Sequence, residues 1–229
     1  MSLFKNKKIL VLGAHCDDEV LGVGGTILKA KEDGAKVDVL ILTDSSSSQH
    51  LNDLEKQKNR NTYFYECCNI LNVDNAYKWN LPDMKLDTLS HIEINKKLEE
   101  FLCEKKYDIV FVHHPNDINK DHQIVFDSLM VVARPVPNQS IKKIFTYYTP
   151  SSTEWGGYSS STQFLPNCYI DITKFLEKKK LALLKYKDEL KEFPHPRSIE
   201  NIEHMAKFFG SQVGLLAAEP FNLIRIIER

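Results

Sequence analysis

The chain has 229 residues, enough for one sizeable hydrophobic core, and its 42% hydrophobic and 27% charged residues are ordinary for a globular protein. A formal charge of −1 excludes the strongly basic surface typical of nucleic-acid binding and gives no polybasic arm for anionic lipid. No apolar segment reaches the ~20 residues of a spanning helix, so we expect a cytoplasmic protein without a membrane anchor. Five cysteines without CxxC spacing favour reduced thiols over a disulfide framework.

The first part of the chain predicts a strand–helix–strand unit. Lys8–Gly13 is a short apolar run without alternation, typical of a strand covered on both faces. A turn over residues 15–19 leads into a predicted helix over 22–33, which Gly34 closes in the favoured C-terminal position. Lys36–Thr43 predicts a second buried strand. Such a unit is the building block of a parallel sheet.

The alternation of helices and strands continues. The patterns predict helices over 51–71, 92–105, 121–132, 173–191 and 199–209, and strands over 108–112, 143–148 and 221–227. Residues 150–166 are rich in serine and glycine and predict a long loop, a common place for ligand binding. No internal repeat or domain boundary is visible, so we expect one domain over 1–229. Its predicted fold is a three-layer α/β/α sandwich with a Rossmann-like, mostly parallel sheet.

Side chains that bind metals are concentrated after two predicted inner strands, where ligands of such sheets lie. His15 and Asp18 are three residues apart and can point the same way, with Asp17 between them. Residues 113–122 contain three histidines and two aspartates. One imidazole from that segment would complete a His₂Asp set with an open position, as catalytic zinc requires. Singly, either aspartate also suits a helix N-cap and His113 suits a buried core position, but the two clusters together favour a metal.

These residues resemble the signatures of the LmbE-like N-deacetylases, also called the PIG-L superfamily. The first signature is an apolar strand, Ala/Gly-His-Pro-Asp-Asp-Glu and a glycine-rich helix start, matched here by residues 11–25. The second, His-Pro-Asn-Asp followed by x-His/Asn-x-Asp-His, matches residues 114–122. Weaker similarities are Arg60, eleven residues before Leu71-Asn72, and the Ala-Glu-Pro-Phe segment at 218–221. The resemblance spans nearly the whole chain.

The resemblance implies a zinc-dependent hydrolase that removes an N-acyl group, acetyl in the simplest case, from a small-molecule amino sugar or its conjugate. It implies that His15, Asp18 and His122 are the zinc ligands. Asp17 would be the general base on the metal-bound water, and Arg60 would hold the substrate near the acyl group. Ferrous iron also suits a His₂Asp site. Similar proteins are often trimers or hexamers, so a homo-oligomer is an expectation.

Two positions depart from the family pattern. Cys16 stands where proline is usual, which changes the stiffness of the turn because proline fixes φ. Asn119 stands where better-studied members carry a histidine assigned to the oxyanion or to protonating the amine. Asparagine donates a hydrogen bond but cannot shuttle a proton. We therefore expect Asn119 to act as a hydrogen-bond donor in catalysis. Either Asp17 then makes both proton transfers, or His113 or the substrate-facing His114 contributes.

Other interpretations stay open at this point. A dinucleotide site is disfavoured because Gly22-Val23-Gly24-Gly25 lacks the G-x-G-x-x-G spacing. A two-metal phosphoester hydrolase would need bridging carboxylates, which Asp117 and Asp121 would have to supply. A non-catalytic sugar-binding relative would not need Asp17. The sugar itself is not specified, although Tyr147, Tyr148, Trp155 and Tyr158 offer aromatic surfaces for a ring or anchors for the loop.

Overall fold

The structure is a computed structural model that describes residues 2–45, 54–157, 159 and 161–228. Its strands are β1 (Lys8–Gly13), β2 (Lys36–Thr43), β3 (Asn75–Leu81), β4 (Ile109–His113), β5 (Lys143–Tyr147), β6 (Cys168–Asp171) and β7 (Ala218–Ile226). Its helices are α1 (Asp18–Glu32), α2 (Leu54–Ile70), α3 (His91–Lys105), α4 (Lys120–Val132), α5 (Leu176–Leu183) and α6 (Ile199–Ser211). A short 3-10 turn, Leu86–Thr88, precedes α3.

The strands form one sheet in the order β3-β2-β1-β4-β5-β7-β6. The strands from β3 to β5 are parallel, and β7 runs antiparallel to β5 and β6. The chain moves outwards from β1 through β2 to β3 and then returns to β4 on the other side of β1. In open α/β sheets ligands bind beyond the carboxyl ends of the strands at such a reversal. The site is therefore expected where β1 and β4 end.

The two faces of the central strands supply two separate hydrophobic layers. Val11 and its neighbours on one face pack with residues of α1, α2, α5 and α6. Leu12 and its neighbours on the other face pack with residues of α3 and α4. Each fully buried side chain of this size contributes about 1.5–3 kcal/mol. Burial on both faces explains why these strands lack polar alternation, and it confirms the predicted three-layer α/β architecture with a mostly parallel sheet.

Most predicted elements lie within two residues of those observed, namely β1, β2, β4, β5, α3, α4 and α6. The strands β3 and β6 were not predicted, because their side chains are mostly half-exposed and give no buried apolar run. The predicted helix over 51–71 corresponds to α2, and residues 51–53 lie outside the described part of the chain.

Two predicted helices have wrong boundaries. The helix α1 begins at Asp18 rather than at residue 22, because the carbonyl of Asp17 already accepts the N–H groups of Val20 and Leu21. The helix predicted over 173–191 is wrong in length, since α5 ends at Leu183. The turns that follow α5 direct the hydroxyl of Tyr186 onto the buried carboxylate of Glu19 at 2.6 Å. The region after α5 therefore contributes to the site, which a continuous helix over these residues would not have indicated.

A buried ion pair fixes α1 to the C-terminal strand. The carboxylate of Glu219 in β7 accepts the N–H groups of Gly25 and Thr26 at 2.8 and 2.7 Å. The ammonium of Lys179 in α5 donates to Glu219 at 2.6 Å and to the carbonyl of Leu21 at 2.9 Å. Position 25 needs glycine for α1 to pack this closely, because a Cβ there would lie 2.6 Å from a methyl carbon of Ile172. The helix that carries the first motif is thereby held against two other elements.

We expect Glu219→Gln to lower the free energy of unfolding by about 3 kcal/mol, because breaking a buried pair leaves an uncompensated charge on Lys179. Urea unfolding monitored by circular dichroism measures this change. The matched control is Glu203→Gln, whose carboxylate pairs with Lys180 and Lys207 near the surface. That variant is expected to lose about 1 kcal/mol or less. Equal losses in both variants would contradict the structural role of Glu219.

Within the described residues, no helix combines the length and apolar character needed to cross a membrane.

Candidate metal and catalytic centre

The turn between β1 and α1 is organised by the carboxylate of Asp18. Its Oδ2 accepts the N–H groups of Ala14 at 3.0 Å and His15 at 2.7 Å. The backbone of Asp17 is in the left-handed region with φ 113°, and its N–H donates to Glu19 Oε2 at 3.0 Å. Non-glycine residues keep such a conformation only where the surroundings fix it, and it is common at functional sites. The sequence thus places two adjacent carboxylates in two different environments.

Three ligand-type side chains meet at the carboxyl ends of β1 and β4. His15 Nδ1 lies 3.2 Å from His122 Nε2, and His122 Nε2 lies 3.4 Å from Asp18 Oδ1. Ligands bonded tetrahedrally to zinc at 2.0–2.1 Å are about 3.3 Å apart. Asp18 Oδ1 is buried and receives no hydrogen bond from the described residues. The donor types, the spacing and this oxygen fit a divalent cation.

Further carboxylates orient the two imidazoles from behind. His15 Nε2 lies 3.1 Å from Asp121 Oδ2 and 3.2 Å from Asp83 Oδ1. The carboxylate of Asp121 also accepts the backbone N–H groups of Met84 and Leu86 at 2.8 and 3.0 Å. His122 Nδ1 lies 3.2 Å from the carboxylate of Asp117. Metal-binding histidines usually have such a carboxylate behind them, which fixes the ring and its tautomer.

The carboxylate of Asp117 also joins this centre to the loop after β5. It accepts hydrogen bonds from the hydroxyls of Ser152 and Thr153, the latter at 2.8 Å. Hydrogen bonds and nearby His122 hold the pKa of Asp117 at about 2 although burial opposes its charge. The loop and the imidazole of His122 are therefore fixed by one buried group.

The centre carries an excess of buried negative charge. Its buried carboxylates are Asp17, Asp18, Asp83, Asp117 and Asp121. Burial opposes a charge on His15, but the hydrogen bond to Asp121 and the surrounding carboxylates raise its pKa to about 9. Burial and the neighbouring His122 lower the pKa of His113 to about 4, so that this ring is neutral. A site of this charge favours a divalent cation, whose binding would displace the proton from His15.

Asp17 has a partner that sequence reasoning missed. Its Oδ2 accepts a hydrogen bond from Arg197 Nη1 at 2.9 Å. Burial raises the pKa of Asp17 to about 7, while the guanidinium opposes that rise. Arg197 lies in a Pro-His-Pro-Arg-Ser segment, residues 194–198, whose serine, Ser198, is the N-cap of α6. The only signal in the sequence was this arginine in a proline-stiffened connection.

A family model for PIG-L, described as GlcNAc-PI de-N-acetylase, matches residues 10–133, more than half of the chain. The chain belongs to the PIG-L family. Diacetylchitobiose deacetylase of Thermococcus kodakarensis is 24% identical to it over 95% of this chain and 83% of the relative.

Two solved structures have a fold similar to that of this PIG-L protein. N,N'-diacetylchitobiose deacetylase of Pyrococcus horikoshii, complexed with its inhibitor MPG, has a TM-score of 0.77 at 24% identity, covering 96% of this chain and 84% of that one. The 4-carboxy-2-hydroxymuconate hydratase GalB of Pseudomonas putida KT2440 has a TM-score of 0.75 at 17% identity, covering 97% and 99%. At these identities the likeness establishes a shared fold, which hosts more than one kind of reaction.

The remaining predicted residues of this PIG-L protein lie around the centre in different ways. Arg60 donates to the carbonyl of Ser45 at 2.7 Å and forms an ion pair with Glu189. Asn119 is the N-cap of α4, and its side-chain oxygen accepts the N–H of Asp121 at 2.9 Å. His114 is buried, with Nε2 3.1 Å from the carbonyl of Thr162. Their roles in substrate binding and catalysis stay predictions.

Two other features predicted from the sequence can be placed. Cys16 is buried, and burial raises the pKa of its thiol to about 12, so the thiol stays protonated. Of the aromatic residues, Tyr147 is buried in the core beneath the site, with its hydroxyl donating to the carbonyl of Leu12 at 2.9 Å. Trp155 is 45% exposed and stays available to a ligand. Tyr158 lies outside the described residues.

We expect Asp117→Asn to lower the affinity of the protein for zinc about 10- to 100-fold, because His122 loses the carboxylate that orients it. Competition with a chromophoric chelator measures the affinity. Asp127→Asn on the exposed side of α4 is the matched control and should leave the affinity unchanged. An unchanged affinity in Asp117→Asn would mean that the carboxylate does not support the ligand.

Proposed function

We propose that this PIG-L protein is a metal-dependent hydrolase that removes an N-acyl group, in the simplest case acetyl, from an amino sugar or its conjugate. The observation that carries the proposal is the triangle of His15, Asp18 and His122 beside a buried carboxylate, Asp17, that lies outside it. A sugar-binding relative without catalysis would have no use for that second carboxylate. The deacetylase relatives and the family support the same reaction.

The metal is proposed to be zinc, held by His15 Nδ1, Asp18 Oδ1 and His122 Nε2. When bound, zinc lowers the pKa of a water molecule to about 7 and polarises the amide carbonyl. Three protein ligands with an open position are typical of catalytic zinc. Ferrous iron also suits this donor set.

Asp17 is proposed to make both proton transfers. It accepts a proton from the attacking water as the C–O bond forms, and it delivers that proton to the nitrogen as the C–N bond breaks. The products are the free amine and the carboxylate of the acyl group. The other candidates for proton transfer have partners of their own: His113 Nε2 lies 3.0 Å from the backbone nitrogen of Ala14, and His114 Nε2 lies 3.1 Å from the carbonyl oxygen of Thr162.

A two-metal phosphoester hydrolase is less well supported. The carboxylates that would have to bridge a second ion, Asp117 and Asp121, are engaged with hydroxyl and backbone N–H donors. The second group of ligand-type residues, His15, Asp83 and Asp121, shares His15 with the first through the opposite ring nitrogen. One cation per chain is therefore the expectation.

The direct test combines metal analysis with an assay of amine release. We expect about one zinc or iron per chain and chelator-sensitive release of amine from at least one member of a panel. The panel contains N-acetylglucosamine, diacetylchitobiose, other conjugates of N-acetylglucosamine and nucleotide-linked N-acetyl sugars. Metal binding without amine release from any of them would favour another acyl substrate or another bond. Absence of metal would refute the proposal.

We expect Asp17→Asn to lower kcat by at least about 100-fold, the lower end of the contribution of general acid–base catalysis. Its metal content should stay near one per chain, because Asp17 is not among the ligands. His122→Ala is the comparison variant and should lose the metal itself. Kinetics and metal analysis on the same preparations separate the two effects. Loss of metal in Asp17→Asn would make Asp17 a ligand and contradict its assignment as the base.

A further inference from the structure

Asp17 and Asp18 are adjacent, both buried and chemically identical, yet only Asp18 belongs to the triangle of ligand atoms. A carboxylate next to a ligand position is itself a natural ligand for a divalent cation. Something in the protein must therefore keep the two apart in function. The difference between them lies in their hydrogen-bond partners.

Asp18 is held by N–H groups of its own turn and by His113 of β4, whose Nε2 lies 3.1 Å from Asp18 Oδ2. The side-chain partner of Asp17 comes instead from the distant connection between α5 and α6. Asp18 is fixed by the N–H groups of Ala14 and His15. The side chain of Asp17 is engaged by Arg197 at 2.9 Å. The sequence separation of 180 residues means that this contact exists only in the complete fold.

Arg197 is itself held firmly. Its Nε donates to Ser151 Oγ at 2.6 Å, and its Nη1 lies 3.4 Å from Glu189 Oε2. Its own N–H donates to His195 Nδ1 at 3.1 Å. The guanidinium is a planar group with donors in fixed directions, so these contacts fix its orientation as well as its position.

The contacts continue in a closed circuit that returns to the same turn. Glu189 pairs with Arg60, and Arg60 donates to the carbonyl of Ser45 at 2.7 Å. The hydroxyl of Ser45 accepts the N–H of Cys16 at 2.9 Å, next to Asp17. The side chain of Asp17 and the backbone of the preceding residue, Cys16, therefore belong to one hydrogen-bond network.

From this geometry we infer that Arg197 is a positioning residue that holds the carboxylate of Asp17 out of the metal's ligand set and so keeps it available as the base. The role of Asp17 as the base rests on the proposed function. The fixed position of its carboxylate outside the ligand set does not depend on that function. Without Arg197, Asp17 is expected to turn towards the cation and become a fourth protein ligand, occupying the position that substrate and water need.

Cobalt(II) in place of zinc gives a readout that does not depend on activity, because its visible absorption changes with the number and type of ligands. Arg197→Met should alter the cobalt spectrum and tighten cobalt binding, measured by chelator competition. Arg197→Lys keeps a positive charge near Asp17, so its cobalt spectrum and cobalt affinity should lie between those of the unaltered protein and those of Arg197→Met. In Asp17→Asn/Arg197→Met the spectrum should return to that of the unaltered protein, since no second carboxylate remains. Arg134→Met, on the exposed connection after α4, is the matched control.

In the amine-release assay, Arg197→Met should lower kcat by about 100-fold, the size of loss that misplacing a catalytic group causes. KM should change little, and the double variant should be no slower than Asp17→Asn, because the two residues act as a unit. A higher KM with unchanged kcat would make Arg197 a substrate ligand and overturn the inference. An unchanged cobalt spectrum in Arg197→Met would overturn it as well.

The failure of the inference and that of the proposed function are distinguishable. A protein that releases no amine but shows the spectral change and its reversal refutes the deacetylase and supports the role of Arg197. An active deacetylase whose spectrum and kcat ignore Arg197→Met refutes only the inference. A protein that binds no cobalt refutes both.

Discussion

The carboxylate of Asp18 joins the end of β1 to the start of α1, and the arrangement of the whole centre depends on it. One of its oxygens accepts the N–H groups of Ala14 and His15, and the other faces His122 in the first turn of α4. The ring of His113, stacked on His122 at 3.7 Å, supports that face. Because the carboxylate is already oriented by the backbone, a cation would meet side chains that need little reorganisation, which would favour affinity and a defined geometry.

Such an arrangement brings several negatively charged carboxylates together in the interior. Burying an unpaired ion costs several kcal/mol. The fold offsets this cost by giving each carboxylate its own donors. Asp121 has two backbone N–H groups from the segment before α3, and Asp117 has two hydroxyls from the loop after β5. Asp17 has a guanidinium from the connection before α6. Three segments far apart in sequence thus meet at the carboxyl ends of the central strands, where each supplies hydrogen-bond donors to a buried carboxylate. A bound cation would compensate the negative charge that these donors leave.

The features that follow from local sequence patterns could be predicted from the sequence. Strands β1 and β2 follow from unbroken apolar runs, and the closeness of His15 to His122 follows from the rule that parallel strands end at one edge. The edge strands β3 and β6 were missed because half-exposed strands have mixed composition. Arg197 and Glu189 were missed because their contacts depend on where α5 stops, and no local signal in the sequence marks its end at Leu183. The three predicted ligands lie together in the structure.

The departure at Asn119 illustrates how the same fold can distribute chemical roles differently. Its side chain caps α4, so its oxygen is committed to Asp121, whose carboxylate stands behind His15. An asparagine in this place supports the candidate metal site through the helix, and in the proposed mechanism it leaves proton transfer to another group. In the proposed mechanism the buried carboxylate of Asp17 is the group that remains, and a single base that serves two transfers would have to stay free of the cation throughout the cycle. A fixed guanidinium beside it would meet that requirement, so the asparagine at position 119 and the arginine at position 197 would be two parts of the same arrangement.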